Sequence, residues 1–414
     1  MTIRPAIQSM GKLCLILMIS ALSACGGSGS DSSNSSAGVD SQIEVSPDES
    51  ESPQENAVAP EPASLKLVST PNPSVLPLLL ALANNPDLPV ELIPVAGGAG
   101  INQALSDQGA EALLSMTWVA AQKRSIADDL QIVSINFWRG FQELTTTDYA
   151  VDELADLQGK NLLVSGPVGS GKNGGPDLLF LAALGVEGFD ATEYDESEIQ
   201  VDVSDTLHTL TRRYFPHGNF AVYYAPVMVA TPLLIDAIIL PDGDDTTTDE
   251  AAIASFMVEP AATGIVMNAT AASQTVEKSI DIQTLFNAVQ SDQPWPDTQL
   301  PLGGLSIREQ VLSDPTRLAV IEEVQTAYFE AIDQLNQAPS PIVLNQLAQT
   351  ISDQLDQYYG EFELEIPAPV ITAAIRNSEL TYRTDVSLSN WQVGIREFIQ
   401  TVNGEVPERI LVSE

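Results

Sequence analysis

Short apolar runs alternate with helix-like segments over the first half of the chain that follows residue 63. The runs SLKLVST at 64–70, PVELIPVAG at 89–97 and AEALLSMTW at 110–118 predict three strands, and the stretches between them have helical spacing. The longer run LQIVSINFWRGFQELTTT predicts a fourth strand that carries the chain towards a second lobe. Alternation of strands and helices of this kind favours an α/β fold.

The pattern then starts again. The segment DELADLQGKNLLVSG predicts a short helix, a Gly-Lys turn and a buried strand at 161–165. Pro176 stands where a first helical residue is favoured, and Gly185 stands where a helix ends. From Pro315 onward the chain reads as mostly helical, with one apolar stripe that we interpret as core: Leu318, Ile321, Val324, Tyr328, Ile332 and Leu335.

The N-terminus has the anatomy of an export signal. Arg4 and Lys12 precede an apolar run at 13–22, which is too short to remain as a membrane-spanning helix. The run ends in Leu-Ser-Ala-Cys25, which resembles the bacterial lipobox, where the signal is removed and the cysteine receives lipid. The alternative is an ordinary signal peptide with a cysteine at its cleavage site. Because Cys14 and Cys25 are the only cysteines, lipidation would leave no thiol for a disulfide, a metal site or catalysis.

Composition separates a tether from a folded part. Residues 26–63 contain no aromatic residue, lysine or arginine and are rich in Ser, Gly, Pro, Asp and Glu, so we expect a disordered tether there. The whole chain carries a formal net charge of −39, from 17 basic and 56 acidic residues. This excess excludes non-specific nucleic-acid binding and disfavours docking on anionic lipid, and we attribute it to solubility.

A glycine-rich turn follows the strand at 161–165. The letters from Gly166 to Lys172 fit a nucleotide-binding P-loop, but Asn173 stands where that loop needs Ser or Thr to bind Mg²⁺. An exported protein meets no ATP pool, so a nucleotide hydrolase is disfavoured. A strand, a glycine turn and a helix start instead present backbone N–H groups that suit a carboxylate, sulfonate, phosphate or polar ring edge. The alternative is a flexible turn with glycines for chain reversal.

The same region resembles a known family. VDELADLQGKNLLVSGPVGSGKNGGPDLLFLAALGVEG is similar to the start of the second lobe in periplasmic solute-binding proteins of ABC importers, in the nitrate/sulfonate/taurine and thiamine-pyrimidine-precursor branch. GGAGINQAL matches the glycine turn before a short helix of the first lobe. The chain departs from the family pattern where an acid and a Glu-Pro pair are usual, because it has Asn219 and Ala225-Pro226.

The resemblance implies a two-lobed periplasmic-binding-protein-like fold (type II), here with an extended helical C-terminal region. The expected division is a lipoprotein signal peptide at 1–24, the lipidated Cys25 and an acidic tether at 25–63, the first part of lobe I at 64–145, lobe II at 146–240, and a return to lobe I with the C-terminal helices at 241–414. In open α/β sheets, ligands bind beyond the carboxyl ends of strands. The residues expected to line the ligand are Thr70, Asn72, Gly98, Thr117, Trp118, Gly169, Ser170, Asn173 and Tyr224.

The function implied is that of a monomeric, lipid-anchored extracytoplasmic protein, in the periplasm or on the cell surface. It would capture a small organic or anionic molecule by lobe closure and deliver it to an ABC permease. No cofactor, metal, nucleic-acid partner or catalytic residue is expected. A surface lipoprotein of the same fold that binds an envelope or protein partner without transport is the alternative. An exported hydrolase or synthase on the same fold would need a reactive pair, which the sequence does not offer, and only turnover that is lost on substitution of Ser170 or His217 would support it.

Overall fold

The first sheet contains the strands predicted at the start of the folded part. The computed structural model describes residues 64–147, 149–166, 168, 171–241, 250–289 and 299–412. The predicted strand and helix order is confirmed there by β1 (Leu65–Ser69), α1 (Val75–Asn84), β2 (Val90–Pro94), α2 (Gly98–Ser106), β3 (Ala112–Met116), α3 (Thr117–Lys123) and β4 (Leu130–Arg139). β1 pairs in parallel with β2 and β3, so the carboxyl ends of all three strands meet at one sheet edge. The signal peptide, Cys25 and the tether lie outside the described residues.

A second sheet begins immediately after β4. The single long strand predicted from LQIVSINFWRGFQELTTT is divided at Gly140 into β4 and β5 (Phe141–Thr146), and these belong to different sheets. A short 3₁₀ helix (Leu154–Leu157) leads to β6 (Asn161–Gly166) and α4 (Gly175–Val186), which has Pro176 in its first turn as predicted. β9 (Phe220–Pro226) then runs parallel to β6 and continues into α5 (Val227–Ile235).

The hairpin β7 (Asp195–Val203) and β8 (Thr206–Phe215) completes one side of the second sheet. β8 pairs with β9, and β7 is the edge strand. Along β7, acidic or polar side chains that are exposed alternate with the buried Ile199, Val201 and Val203. This hairpin is not among the elements that the sequence pattern predicts.

The second sheet is larger than lobe II as predicted at 146–240. β10 (Ile239–Leu240), β11 (Glu250–Val258) and β12 (Val276–Asp281) also pair within it, and α6 (Ala261–Ala271) and α7 (Ile282–Val289) accompany them. The chain rejoins the first sheet only at β13 (Gly303–Arg308), which inserts antiparallel between β3 and β4. Residues 250–281 therefore belong to the second sheet, not to the return segment predicted from position 241.

The rest of the chain is helical, as predicted, and includes one short strand. After α8 (Glu309–Leu312) come α9 (Pro315–Asn336), α10 (Pro341–Tyr359), α11 (Ala368–Arg376), β14 (Thr381–Tyr382) at the edge of the first sheet, and α12 (Leu388–Asn403). Asp314 caps α9 by accepting a hydrogen bond from the Thr316 backbone N–H. The predicted stripe of α9 is buried except for Leu318, which is 40% exposed. Across the described ranges, we find no helix that is both long and apolar enough to span a bilayer.

Candidate functional site

A cavity of about 430 Å³ lies between the strand ends of the first sheet and the loop that follows β6 in the second. Its lining comprises Thr70, Asn72, residues 96–101, Ser115, Met116, Val119, Gln122, Lys123, Gly166, Val168, residues 171–176 and Val258. This volume falls within the range of small-molecule sites in proteins. Gly98, Ala99 and Asn173 are exposed, so the cavity communicates with solvent.

Asn72 gives the first wall its shape. Its side-chain amide donates to the carbonyl oxygens of Thr70 at 3.0 Å and Leu114 at 3.2 Å, while its Oδ1 accepts from the Ser74 backbone N–H. Asn72 is almost fully buried, and these bonds tie the turn after β1 to the neighbouring strand β3. The Thr70 side chain is only partly buried, and it is the more available of the two to a bound molecule.

The start of α2 forms a second part of the wall. Gly97 precedes this nine-residue helix and provides no side-chain cap. The first N–H groups of a helix have no partner within the helix, and the positive end of the helix dipole lies at the same place. Gly98 and Ala99 are exposed and line the cavity, so the start of the helix lies at the cavity wall.

Lys123, at the end of α3, brings a positive charge to the cavity. Its Nζ lies 3.4 Å from the carbonyl oxygen of Gly98, and among the described residues no carboxylate is within ion-pair distance. Burial lowers the pKa of Lys123 below its ordinary value of 10.5. The described part of the lining contains no Asp or Glu, although the chain as a whole has 56 of them. The cavity therefore carries a local positive charge in a strongly acidic protein.

The glycine-rich loop of the second sheet forms the opposite wall. Gly171 has φ +76°, and a Cβ there would lie 2.7 Å from the Gly166 backbone nitrogen, so the turn requires glycine. Asn173 also has a positive φ of 56°. Its backbone N–H donates to Asp177 Oδ2 at 2.8 Å, and its Oδ1 accepts from Arg213 Nη2 at 2.8 Å. These two bonds hold a conformation that is uncommon for a residue with a side chain.

A buried ion pair supports this loop from behind. Arg213 of β8 donates to Asp177 at 3.0 Å and to Glu196 at 2.9 Å, and Tyr224 donates to Asp177 Oδ1 at 2.8 Å. Burial disfavours the charge on Arg213, but Tyr224, Glu196 and Asp177 together raise its pKa above the ordinary value. Burial also raises the pKa of the Tyr224 hydroxyl, which stays protonated.

Lys172 lines the cavity too, but its charge is already paired. Its Nζ lies 2.7 Å from Glu196 Oε1, and hydrogen bonds from Lys172 and then from Arg213 lower the pKa of Glu196. The two cations Lys172 and Arg213 therefore face the two anions Asp177 and Glu196. This cluster is neutral as a whole, which leaves Lys123 as the uncompensated charge of the described lining.

The structure brings only some of the predicted site residues to the cavity. Thr70, Asn72, Gly98 and Asn173 line it. Gly169 and Ser170 lie outside the described residues. The positions of the other three predicted residues, Thr117, Trp118 and Tyr224, correct the sequence-based expectation, because all three are buried and do not line this cavity.

Each of these three side chains has a partner inside the protein. The Thr117 hydroxyl donates to the carbonyl oxygen of Pro301 at 2.7 Å, and Trp118 Nε1 donates to that of Gly175 at 3.1 Å. Tyr224 contacts Asp177, as described above. The Trp118 ring, which was expected to line the ligand, therefore packs in the core.

Sequence reasoning missed Lys123 and the apolar part of the lining. Lys123 stands in the helix after the third strand, and the only signal was its position shortly after the end of the strand predicted at 110–118. Met116, Val119, Val168 and Val258 supply the apolar surface. They read as ordinary core residues because apolar runs carry no mark that separates a lining from a core. His217, considered for a hydrolase, lies on the surface 3.2 Å from Glu193.

Comparison with known proteins gives a fold but no sequence family. No protein-family model matches the chain, and no curated protein matches it. Among solved structures, the periplasmic aliphatic sulphonate binding protein SsuA of Escherichia coli has a TM-score of 0.53 and 13% identity, with 86% of this chain and 93% of that chain covered. The alkanesulfonate-binding protein SsuA of Xanthomonas axonopodis pv. citri, bound to MOPS, has a TM-score of 0.51 and 13% identity, with 86% of this chain and 98% of that chain covered.

A third structure, an ABC transporter protein from Parabacteroides distasonis, has a TM-score of 0.52 and 12% identity, with 85% of this chain and 99% of that chain covered. A match that left out residues 315–414 could not reach such coverage of this chain. The C-terminal helices, which the sequence analysis treated as an extension, thus belong in large part to the shared architecture. The chain has the two-lobed α/β fold of the periplasmic solute-binding proteins of ABC transporters.

Proposed function

We propose that this protein binds a small anionic organic solute in the cavity between its two sheets and delivers it to an ABC-type importer. The observation that carries the proposal is the cavity itself, where Lys123 has no carboxylate partner among the described residues and the start of α2 lies at the wall. A negatively charged group suits both features, and the apolar lining suits the rest of a small organic molecule.

The binding test combines mass spectrometry with variants of Lys123. Native mass spectrometry of the purified protein should show a co-purifying molecule, which denaturation would release for identification. Calorimetry with that molecule should give an affinity about 10- to 100-fold weaker for Lys123→Gln, because hydrogen bonds to charged groups contribute about 1.5–3 kcal/mol. Lys66→Gln is the matched control, since Lys66 lies on β1, pairs with Glu91 at 3.9 Å and does not line the cavity. Equal affinities for the two variants would contradict the anionic solute.

We further propose that the protein is held at a bacterial membrane by lipid on Cys25, outside the cytoplasm. The lipobox-like segment supports this, and several acyl chains would anchor the protein firmly where one would not. Metabolic labelling with a radioactive fatty acid should label the wild-type protein and Cys14→Ser, but not Cys25→Ser. Labelling of Cys25→Ser would refute the anchor while leaving solute binding untouched.

The alternative, a surface lipoprotein that binds an envelope or protein partner without transport, makes a different prediction. If the alternative holds, the purified protein should have an empty cavity. Cross-linking in cells should then capture an envelope protein and not a permease. The C-terminal helices no longer support it, because a large part of them falls within the architecture shared with the solute-binding proteins.

A further inference from the structure

The cavity has a lysine on each of its two walls. Lys123 belongs to α3, which follows a strand of the first sheet, and Lys172 belongs to the loop between β6 and α4 of the second lobe. Lys123 has no carboxylate within ion-pair distance among the described residues, whereas the Nζ of Lys172 lies 2.7 Å from Glu196 Oε1. The number of negative charges that the cavity can hold therefore depends on whether Lys172 can leave Glu196.

The ion pair between Lys172 and Glu196 is accessible to water. The side chain of Lys172 is 25% exposed and that of Glu196 is 39% exposed. Ion pairs that water reaches contribute only about 0.2–1 kcal/mol to stability, because water competes for both charges. An anion bound at the cavity wall can therefore compete with Glu196 for the ammonium group of Lys172.

Glu196 keeps a second partner when Lys172 turns away. Its other oxygen, Oε2, accepts a hydrogen bond of 2.9 Å from Arg213 Nε. Arg213 is almost fully buried, lies 3.0 Å from Asp177 and stacks over the Tyr194 ring at 4.5 Å from its centre. Because these contacts fix Arg213, the exchange breaks one partly exposed ion pair and leaves the buried one intact.

The rest of the lining indicates what lies between the two charges. Met116 and Val119 on the first wall are apolar, as are Val168 and Val258 on the second, and the described lining contains no aromatic residue. These side chains suit an aliphatic chain better than a ring that would stack. The described lining also contains no Asp or Glu, so an ammonium group on the solute would find no counter-ion there.

We propose that the solute is an aliphatic dianion, with one acidic group bound by Lys123 and the other by Lys172 after this lysine has exchanged Glu196 for the solute. The inference rests on the proposed function, because it adds a second charge to the same site. Lys172 is then a specificity-determining residue that separates solutes with two acidic groups from solutes with one. Glu196 holds the charge of Lys172 whenever no second acidic group is bound.

Calorimetry with matched pairs of probes tests the number of charges. Glutarate, adipate and pimelate carry two carboxylates, and valerate, hexanoate and heptanoate have the same chain lengths with one. Propanedisulfonate and propanesulfonate form a further pair, which distinguishes a preference for sulfonates from one for carboxylates. At least one dianion should bind the wild-type protein about 10-fold more tightly than its monoanion partner, because it gains a second charge-assisted hydrogen bond.

Two variants distinguish the exchange from an ion pair that only braces the wall. Lys172→Gln should weaken the binding of the dianion about 10-fold more than that of the monoanion. Glu196→Gln should act in the opposite direction and strengthen the binding of the dianion relative to the monoanion, because Lys172 no longer has to leave a carboxylate. An ion pair that only braced the wall would make both variants weaken both kinds of solute alike.

Lys160→Gln is the matched control for Lys172→Gln. Lys160 lies immediately before β6 in the same lobe, its side chain is 28% exposed, and it pairs with Glu250 at 4.0 Å. It does not line the cavity, so its replacement should change neither affinity.

The outcomes separate the second charge from the proposed function itself. Equal affinities for each dianion and its monoanion partner, or equal losses of both in Lys172→Gln, would overturn the dianion and leave the binding of an anionic solute standing. A co-purifying solute with a single acidic group would do the same, whereas one with two would support the dianion even if no probe fits. If no probe binds and no acidic molecule co-purifies, the proposed function fails and the dianion fails with it.

Discussion

Glu143 makes the stability of this protein depend on pH. It lies on β5 opposite Phe256 of β11 and Ile280 of β12, and it is fully buried. Neither of its carboxylate oxygens has a hydrogen-bond partner among the described residues. Burial raises the pKa of Glu143 from the ordinary 4.5 to about 8. The folded protein therefore keeps this carboxyl protonated over a range of pH in which the unfolded chain has already ionised it.

The sign and size of the effect follow from these two pKa values. Because the pKa is higher in the folded state, the contribution of Glu143 to stability is fully present below pH 4.5 and is lost as the pH rises towards 8. At about 1.36 kcal/mol per pH unit, with incomplete ionisation at each end, the loss between pH 5 and pH 8 is about 3.5 kcal/mol. Glu143→Gln removes the ionisation, so it should become more stable relative to wild type by about that amount over this interval.

Urea unfolding at pH 5, 6.5 and 8 measures this difference. Extrapolation to zero urea gives the free energy of unfolding of each protein. The two proteins share all other carboxylates, so subtracting the wild-type value from the variant value at each pH removes the contribution of those groups. Glu323→Gln is the control, since Glu323 is exposed on α9 and its replacement should leave the pH dependence unchanged. A constant difference between wild type and Glu143→Gln from pH 5 to pH 8 would refute the reasoning.

Three further predictions concern the ion pair, the cavity and a sheet glycine. Arg213→Met leaves the buried Asp177 without its cation, so unfolding free energy measured with urea should fall by about 3–5 kcal/mol; a loss below 1 kcal/mol would contradict this. Solute affinity, followed by calorimetry, should fall with rising pH as Lys123 loses its proton, starting at a lower pH than for an ordinary lysine, and Lys123→Arg should abolish that fall. Gly304→Ala should lower the free energy of unfolding by about 1–3 kcal/mol, because its Cβ would lie 2.0 Å from the Ser134 carbonyl oxygen. Gly360→Ala has open space around its Cβ and should be nearly neutral, and thermal unfolding of both variants measures the difference.

The order of strands and helices was readable from the sequence because it depends on local signals. Pro176 at the start of α4 and Pro315 at the start of α9 act within a few residues, and both lie where the pattern placed them. The division of one apolar run into β4 and β5 was not readable. Both halves have the composition of a buried strand, and only long-range pairing assigns them to different sheets.

The candidate site could be predicted only in part, because long-range contacts leave no local signal in the sequence. The glycine turns at Gly98 and Gly171 carry a local signal, and both reach the cavity. Trp118 follows a strand end, as a lining residue would. Its side chain nevertheless points into the core, because it packs against Phe398, which is distant in sequence. Lys123 is important because no carboxylate among the described residues lies within ion-pair distance of it, and such a relation exists only in three dimensions.

The edge of the second sheet has a consequence for self-association. β7 leaves backbone groups on its outer side that could pair with a strand from another molecule, which is how sheet proteins aggregate. Asp195, Glu198 and Asp202 are exposed along this strand, so a second copy approaching edge to edge would meet like charges at close range. This like-charge repulsion opposes fibril or oligomer growth through the edge, and it weakens as salt screens the charges.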